Sequence, residues 1–130
     1  MSASSPVPHG SANTLVTELT RPAAGVVLLV VEGEVDTLTA PALGEALTGL
    51  VATDPESATV AVDLSGVGFL ASSGLAALIH AAHRAGAQGR ALHLVGGSRA
   101  VTRPLEVTGS DRLFTLHADL SALLGEGATG

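Results

Sequence analysis

Predominantly apolar blocks alternate along the chain with segments in which apolar residues recur every three or four positions. The continuous apolar run Val26–Val31 predicts a strand that is covered on both faces, and Ala58–Leu64 and Ala91–Val95 predict two further buried strands. A segment with helical spacing follows each of the first two blocks, and a weaker one follows the third. Strands that alternate with helices in this way predict parallel strand pairs joined by helical crossovers.

The first helix is predicted from an apolar stripe at positions i, i+3, i+4 and i+7, which consists of Leu43, Ala46, Leu47 and Leu50. Thr39 is its expected N-cap, and Pro41 lies in the first turn, where a missing N–H group does no harm. The second helix is predicted over residues 72–85. Its stripe consists of Leu75, Leu78, Ile79 and Ala82, and Gly86 is expected to end it.

The two ends of the chain complete the sheet. Thr14–Thr20 alternates apolar and polar residues and predicts an edge strand, which a short turn joins to the first buried block as an antiparallel hairpin. After the third block, Pro104 is expected to kink or divide a helical stretch that runs through Val107. A short strand at Leu113–Leu116 and a closing helix at Asp119–Leu124 follow. The predicted fold is α/β: a mixed sheet of four to five strands covered by about four helices.

With 130 residues the chain is predicted to form one domain. Residues 1–13 are rich in Ser, Ala and Pro and have no signal-peptide pattern, so we expect a mobile tail before a domain at 14–124. Residues 125–130 are expected to fray. The longest apolar run, Val26–Val31, is too short to cross a bilayer. We therefore expect a cytoplasmic protein with no membrane partner.

The composition restricts the classes of function. Six Arg and no Lys stand against twelve acids, which gives a formal net charge of −6, and the only aromatic residues of the Phe, Trp and Tyr types are two Phe. Direct binding of nucleic acid is not expected, because the basic surface and the stacking side chains that it requires are missing. The absence of Cys excludes disulfides and thiolate metal sites. Only 14% of the residues are charged, which favours an apolar docking face.

Two adjacent serines, Ser72 and Ser73, open the second helix after a buried strand and a polar turn. This is the positive end of a helix dipole, where unpaired backbone N–H groups can hold a phosphate. In an arbitrary protein, Ser-Ser-Gly at a helix start is capping chemistry, which stabilises by about 0.5–2 kcal/mol. From the residues alone, Ser72 has two possible roles, as a helix cap or as a chemical switch.

Other candidate chemistries are not expected to operate. His80 and His83 share a helix but lack an adjacent acid, so we expect no metal site and no cofactor. Gly96-Gly97-Ser98 follows a strand, but the lysine of a P-loop is missing. Ser72 is not in a Gly-x-Ser-x-Gly motif. His80 lies about 12 Å further along the helix at 1.5 Å per residue. We therefore predict that the protein is not an enzyme.

Three segments together resemble the STAS domain, named for sulfate transporters and anti-sigma factor antagonists. Residues 33–43 (GEVDTLTAPAL) resemble its first signature, and Asp63-Leu64-Ser65 with Ser72-Ser73-Gly74-Leu75 resembles the second. Residues 105–109 and 112–114 resemble its third helix and last strand. The likeness covers about residues 14–124 in the family's order and spacing.

The short members of this family are bacterial anti-sigma factor antagonists, and the resemblance implies a partner switch. The unphosphorylated antagonist binds an anti-sigma factor that is also a serine kinase, which frees a sigma factor. The kinase phosphorylates one serine with ATP, the complex separates, and a phosphoserine phosphatase resets it. Motif alignment assigns the phosphorylation to Ser72, with Ser73 as the alternative. A STAS scaffold or ligand-sensing module without phosphorylation is the other interpretation, and self-association is left open.

The resemblance also implies a partner-binding region around these serines. Asp36 matches an acid at the kinase interface, where arginine is a natural partner, although a turn or cap role is equally compatible with the sequence. Ala71 replaces an aspartate that often precedes the family's phosphorylated serine. For Phe69 and Leu70 the sequence does not distinguish packing in the core from contact with a partner. The expected partner-binding residues are Asp36, Thr37, Phe69, Leu70, Ala71, Ser72, Ser73, Gly74, Ala76 and His80.

Overall fold

Five strands and four α-helices make up the part of the chain that the computed structural model describes, residues 15–53 and 59–129. The strands are β1 (Leu15–Ala23), β2 (Val26–Val35), β3 (Thr59–Leu70), β4 (Leu92–Val95) and β5 (Thr115–His117). The helices are α1 (Ala40–Ala52), α2 (Ser72–Ala87), α3 (Arg99–Thr108) and α4 (Leu120–Thr129), with a 3₁₀ turn at Ser110–Leu113. The predicted tail at 1–13 lies outside the described residues.

The sheet has the strand order β1-β2-β3-β4-β5. β1 and β2 form an antiparallel hairpin, and every later neighbouring pair is parallel. The prediction of a mixed sheet with an N-terminal hairpin is confirmed. Parallel order places the carboxyl ends of β2 and β3 at the same edge of the sheet, where Val35 pairs with Leu70.

Two apolar cores lie on the two faces of this sheet. The larger core joins one face to α1, α2 and α3, and the predicted stripe residues Leu43, Leu47 and Leu50 are all within it. The smaller core joins the other face to α4 and consists of Leu28, Ala61, Val95 and Leu123. Coverage of both faces explains why the central strands begin as continuous apolar blocks.

β2 and β3 both extend further than their apolar blocks predict. β2 continues from Val31 to Val35 with the burial pattern of a half-covered strand, because Glu32 and Glu34 are exposed while Val35 is fully buried. The pairing with β3 continues to Leu70 through two register irregularities. A strand covered on one face only alternates apolar and polar residues, so the apolar run ends before the strand does.

The predicted end of α2 at Gly86 is wrong. Gly86 lies inside the helix, which ends at Ala87, and the chain turns through Gly89 in the left-handed region with φ of 76°. The N–H group of Gly89 donates to the Gly86 carbonyl. Gly is strongly favoured just beyond a helix end because this region strains other residues. The sequence offers two glycines, and the second one has this conformation.

The C-terminal elements also differ in detail from the prediction. Of the two effects predicted for Pro104, a kink or a division, the division is wrong, because α3 runs as one helix through Thr108 with Ser98 as its side-chain N-cap. The ring removes one N–H donor, so the helix tolerates Pro104 at the loss of one internal hydrogen bond. Leu113 belongs to the 3₁₀ turn, and β5 starts at Thr115. α4 continues past the predicted Leu124.

Candidate functional site at the carboxyl ends of β2 and β3

The turn after β2 and the start of α2 lie side by side. The N–H group of Ala71, directly after β3, donates to the carbonyl of Val35, the last residue of β2, at 2.7 Å. This bond ties the turn at residues 36–39 to the N-terminus of α2. Two segments that are 35 positions apart in the sequence, at Asp36 and at Ala71, therefore form one surface.

Asp36 organises the turn after β2. Its Oδ1 atom accepts the N–H groups of Leu38 at 2.9 Å and of Thr39 at 3.0 Å. Its carbonyl accepts the N–H group of Ala40 at 2.8 Å. The structure thus gives Asp36 the turn role that the sequence left open.

The buried side chain of Thr39 stabilises the same turn through hydrogen bonds. Its side chain is 5% exposed, and its hydroxyl donates to the Glu34 carbonyl at 2.8 Å and accepts the Asp36 N–H group at 2.9 Å. Thr39 occupies the predicted N-cap position of α1, but its side chain makes no cap hydrogen bond to the helix. Its hydroxyl joins β2 to the turn instead.

Replacing Thr39 with the nearly isosteric valine is expected to lower the free energy of unfolding by about 2–4 kcal/mol. The change leaves the Glu34 carbonyl and the Asp36 N–H group without this partner, at about 1–3 kcal/mol each. Urea denaturation measures the loss. Thr48→Val is the control, because the Thr48 hydroxyl on α1 is exposed and donates only to the Gly44 carbonyl. Equal effects of the two substitutions would contradict this role of Thr39.

The Ser72 hydroxyl is not a helix cap. The N-cap of α2 is Ala71, which has no side-chain oxygen, and Ser72 is the first helical residue. The Ser72 side chain is exposed, and the structure records no hydrogen bond of its hydroxyl to any described residue. The capping alternative is therefore wrong, because a side-chain cap must accept an N–H group of the first turn.

Ser73 differs from its neighbour in accessibility. Its Oγ atom is sealed from solvent and has no hydrogen-bond partner among the described residues. A kinase could reach this atom only after the side chain or the helix had moved. Of the two serines that the sequence offers, the structure presents the hydroxyl of Ser72.

Two of the expected partner-binding residues belong to the core. Leu70 is 4% exposed and packs in the larger core, and Gly74 is buried. Leu70 and Gly74 are therefore corrected from partner-binding residues to packing residues, since α2 crosses the strand ends too closely to leave them accessible. Successive strand residues point to opposite faces, and Phe69 is accordingly 47% exposed.

A groove of about 710 Å³ runs between α1 and α2 and begins at this surface. Four of the expected residues lie along it: Thr37, Ser73, Ala76 and His80. The groove also contains Glu45 and Arg84, which sequence reasoning missed. Helical spacing gives a signal for Arg84, since positions 73, 77, 80 and 84 share one face of α2.

Leu38 is a second residue that sequence reasoning missed. It lies in the turn after β2 and is 75% exposed, the highest value among the exposed large apolar side chains described. Leu38 precedes α1 and is not part of its apolar stripe, so the sequence pattern gave no reason to select it. Only the structure shows that this side chain is exposed, on a turn that adjoins the start of α2.

The described residues contain no cluster of three or more His, Asp or Glu side chains placed to hold a metal ion. His80 is exposed on α2. Within the same residues, no helix combines the length and apolar character needed to cross a membrane. The described surface around Ser72 consists of hydroxyl groups, carboxylates and small apolar side chains, together with the exposed Phe69 and the exposed Leu38 of the adjoining turn.

Comparisons with known proteins agree with this architecture. A family model described as "Mlab, STAS domain" matches residues 19–124. The anti-sigma-F factor antagonist RsfB of Mycobacterium tuberculosis is 36% identical over 105 residues, which span 78% of this chain and 84% of that protein.

Solved structures show the same fold. The crystal structure of an anti-sigma factor antagonist from Mycobacterium paratuberculosis superposes with a TM-score of 0.77 and 33% identity, covering 88% of this chain and 96% of that one. The phosphorylated form of SpoIIAA, a Bacillus cell fate determinant, has a TM-score of 0.65 at 13% identity, covering 85% of this chain and 98% of that one. At that identity the second likeness concerns the fold alone.

Proposed function

The chain belongs to the STAS domain family, and from that premise we propose that it is a bacterial anti-sigma factor antagonist controlled by phosphorylation of Ser72. Unphosphorylated, it binds an anti-sigma factor with serine-kinase activity and so releases a sigma factor in the cytoplasm. Two relatives above 30% identity carry the name anti-sigma factor antagonist. The protein acts through binding, as the substrate of a kinase and not as a catalyst.

The observation that carries this proposal is the exposed hydroxyl of Ser72 at the start of α2. It is the first helical residue, it has no capping role, and it adjoins the turn that contains Asp36. An attacking hydroxyl must reach the γ-phosphate of ATP in the kinase, so accessibility selects Ser72 over the sealed Ser73.

The Oγ atom of Ser72 forms a bond to the γ-phosphorus of ATP while the bond to the bridging oxygen of ADP breaks. A base of the kinase takes the hydroxyl proton, and ADP leaves. The phosphatase reverses the modification by adding water across the ester, which returns the hydroxyl and inorganic phosphate.

The free protein can accommodate the phosphate without refolding. A phosphoserine carries about −1.5 to −2 charges, and the first N–H groups of a helix have no intrahelical acceptor. The phosphate at Ser72 therefore meets the positive end of the α2 dipole. Its effect arises only when a partner covers this end of the helix and removes the surrounding water.

Asp36 is proposed to contribute a contact as well as a turn. All side-chain hydrogen bonds that the structure records for Asp36 within the described chain use Oδ1. Its other carboxylate oxygen is then the one to accept an N–H group from an arginine of the partner. Such charge-assisted bonds are stronger than neutral ones.

Incubation with the cognate anti-sigma kinase and ATP tests the proposal. We expect the intact protein to gain the mass of one phosphate, Ser72→Ala to gain none, and Ser73→Ala to gain one. Because Ser72 makes no cap, Ser72→Ala should unfold within about 0.5 kcal/mol of the wild type, the range of an exposed substitution. A failure to phosphorylate therefore cannot be attributed to unfolding.

The phosphorylation experiment, together with a measurement of partner binding, separates the antagonist from a STAS scaffold. A scaffold would bind its partner equally well as wild type, Ser72→Ala and Ser72→Glu, and would take up no phosphate. A phosphate on Ser73 in the wild type would also contradict the assignment, because the buried oxygen would then be the acceptor.

A further inference from the structure

Basic residues are distributed unevenly along this chain. No Lys or Arg occurs between Arg21 and Arg84, whereas five of the six Arg fall within residues 84–112 together with only two acids. The stretch without Lys or Arg contains seven acids: Glu32, Glu34, Asp36, Glu45, Asp54, Glu56 and Asp63. The protein therefore has an acidic section and a basic section.

The acidic section includes the surface around Ser72. The turn after β2, all of α1 and the first three turns of α2 belong to it. Glu34 and Glu45 are exposed, and Glu45 lies on the groove between α1 and α2, which Arg84, the first residue of the basic section, also lines. A partner with basic side chains complements this surface, since opposite potentials favour association and exclude partners of like charge.

Leu38 lies in the turn after β2, within this acidic section. It is 75% exposed, yet its backbone is held, because the N–H groups of Leu38 and of the next residue both donate to Asp36 Oδ1. The buried hydroxyl of Thr39 fixes the same turn to β2. A large apolar side chain on a rigid turn loses little conformational freedom on binding, which favours affinity.

We propose that Leu38 is the apolar anchor of the interface with the anti-sigma factor, and that this partner supplies an apolar pocket bordered by Arg or Lys side chains. The inference rests on the proposed function and goes beyond it by naming the residue and the chemistry that hold the partner. Interface energy concentrates in a few central residues that fill pockets, with charged residues at the rim. Leu38 is the large exposed apolar side chain of this segment, and the acids Glu34, Asp36 and Glu45 flank it in the sequence.

Calorimetric titration of the full unphosphorylated chain with the cognate anti-sigma factor tests the anchor. We expect Leu38→Ala to weaken binding about tenfold or more, mainly through faster dissociation. Val107→Ala is the matched control. Val107 is 73% exposed but lies on α3 in the basic section, so we expect its truncation to change affinity less than about twofold, as for a residue outside the interface.

The charge of the partner is tested separately. Raising the ionic strength should weaken the complex, and Glu45→Lys should both weaken it and reduce this salt dependence. Glu106→Lys is the control, because Glu106 is exposed on α3 among the arginines. Leu38→Met should retain most of the affinity, since it keeps the apolar volume.

The outcomes distinguish the two proposals. If the wild type binds and Leu38→Ala binds equally well, the anchor is wrong while the antagonist function stands. Equal weakening by Leu38→Ala and Val107→Ala would also overturn the anchor, as would an affinity that rises with salt. If the wild type does not bind an anti-sigma factor at all, the proposed function fails and the anchor fails with it. Unchanged melting temperatures of the variants establish that each one is folded.

Discussion

Phosphorylation of Ser72 is expected to lower the affinity for the anti-sigma factor by about four orders of magnitude, the change that takes a complex from almost fully bound to almost fully free. The exposed hydroxyl lies at the start of α2, next to the turn after β2. A partner that covers both segments must remove water from a group with about −1.5 to −2 charges. Such desolvation costs several kcal/mol when no paired charge compensates it.

The measurement compares the phosphorylated and unphosphorylated proteins in the same titration, with Ser72→Glu as a stable mimic of weaker effect. Ser121→Glu is the matched control. Ser121 is an exposed serine in the first turn of α4, and α4 packs on the opposite face of the sheet. Ser121→Glu adds the same charge as Ser72→Glu to the first turn of a helix, away from the proposed interface. Retained binding by the phosphorylated protein would support the scaffold interpretation.

The acidic character of this surface is compatible with release by a phosphate. At the N-cap and in the first two turns of α2, exposed or half-exposed residues such as Ala71, Ala76 and Ala77 are small, so a partner can approach α2 closely there. The carboxylates of Glu34 and Glu45 are exposed on neighbouring elements. A phosphate at the close contact loses its water, while charges at a wet rim keep theirs. Rim charges favour encounter, and the close contact decides whether the complex persists.

The sheet could be predicted from the sequence because its central strands are covered on both faces. Val26–Val31 is continuous and apolar as a consequence of packing against helices on either side. The stripe that contains Leu43 and Leu50 likewise follows from one buried face of α1. Because burial determines which positions of these elements are apolar, the apolar pattern predicts each element. The topology then follows from the alternation of strands and helices.

The site was less predictable, because it depends on where strands end and on which side a residue points. Phe69 and Leu70 are equivalent in hydrophobicity, and only the extension of β3 to Leu70 places one outside and the other in the core. The N-cap of α2 is Ala71, although Ser, Thr, Asp and Asn are the preferred N-cap residues, and the Ser72 hydroxyl therefore has no capping role. Leu38 belongs to no apolar pattern with the spacing of a helix or a strand, so the sequence contains no signal for it. Local departures from preference of this kind are expected at functional sites.

Substitution of Gly74 by alanine is expected to destabilise the protein by about 2–3 kcal/mol, as overpacking of a closed core does. A Cβ atom at Gly74 would lie 2.3 Å from Val35 Cγ1 and 2.8 Å from Leu70 Cδ1. Both side chains are in the larger core, with Val35 fully buried. Both neighbours are buried side chains, so accommodating the Cβ atom requires one of them or α2 to shift.

Gly86→Ala in the same helix is the control for Gly74→Ala and should have the opposite sign. A Cβ atom at Gly86 would meet nothing within 4 Å, so alanine should stabilise α2 by about 0.5–1 kcal/mol through helix propensity. Denaturant unfolding measures both changes, and destabilisation by Gly86→Ala or tolerance of Gly74→Ala would contradict the packing. Val35 and Leu70 directly precede Asp36 and Ala71, so a shift of α2 moves Ser72 relative to the turn. The folded fraction of Gly74→Ala should therefore also bind the anti-sigma factor less tightly, whereas Gly86→Ala should bind as the wild type does.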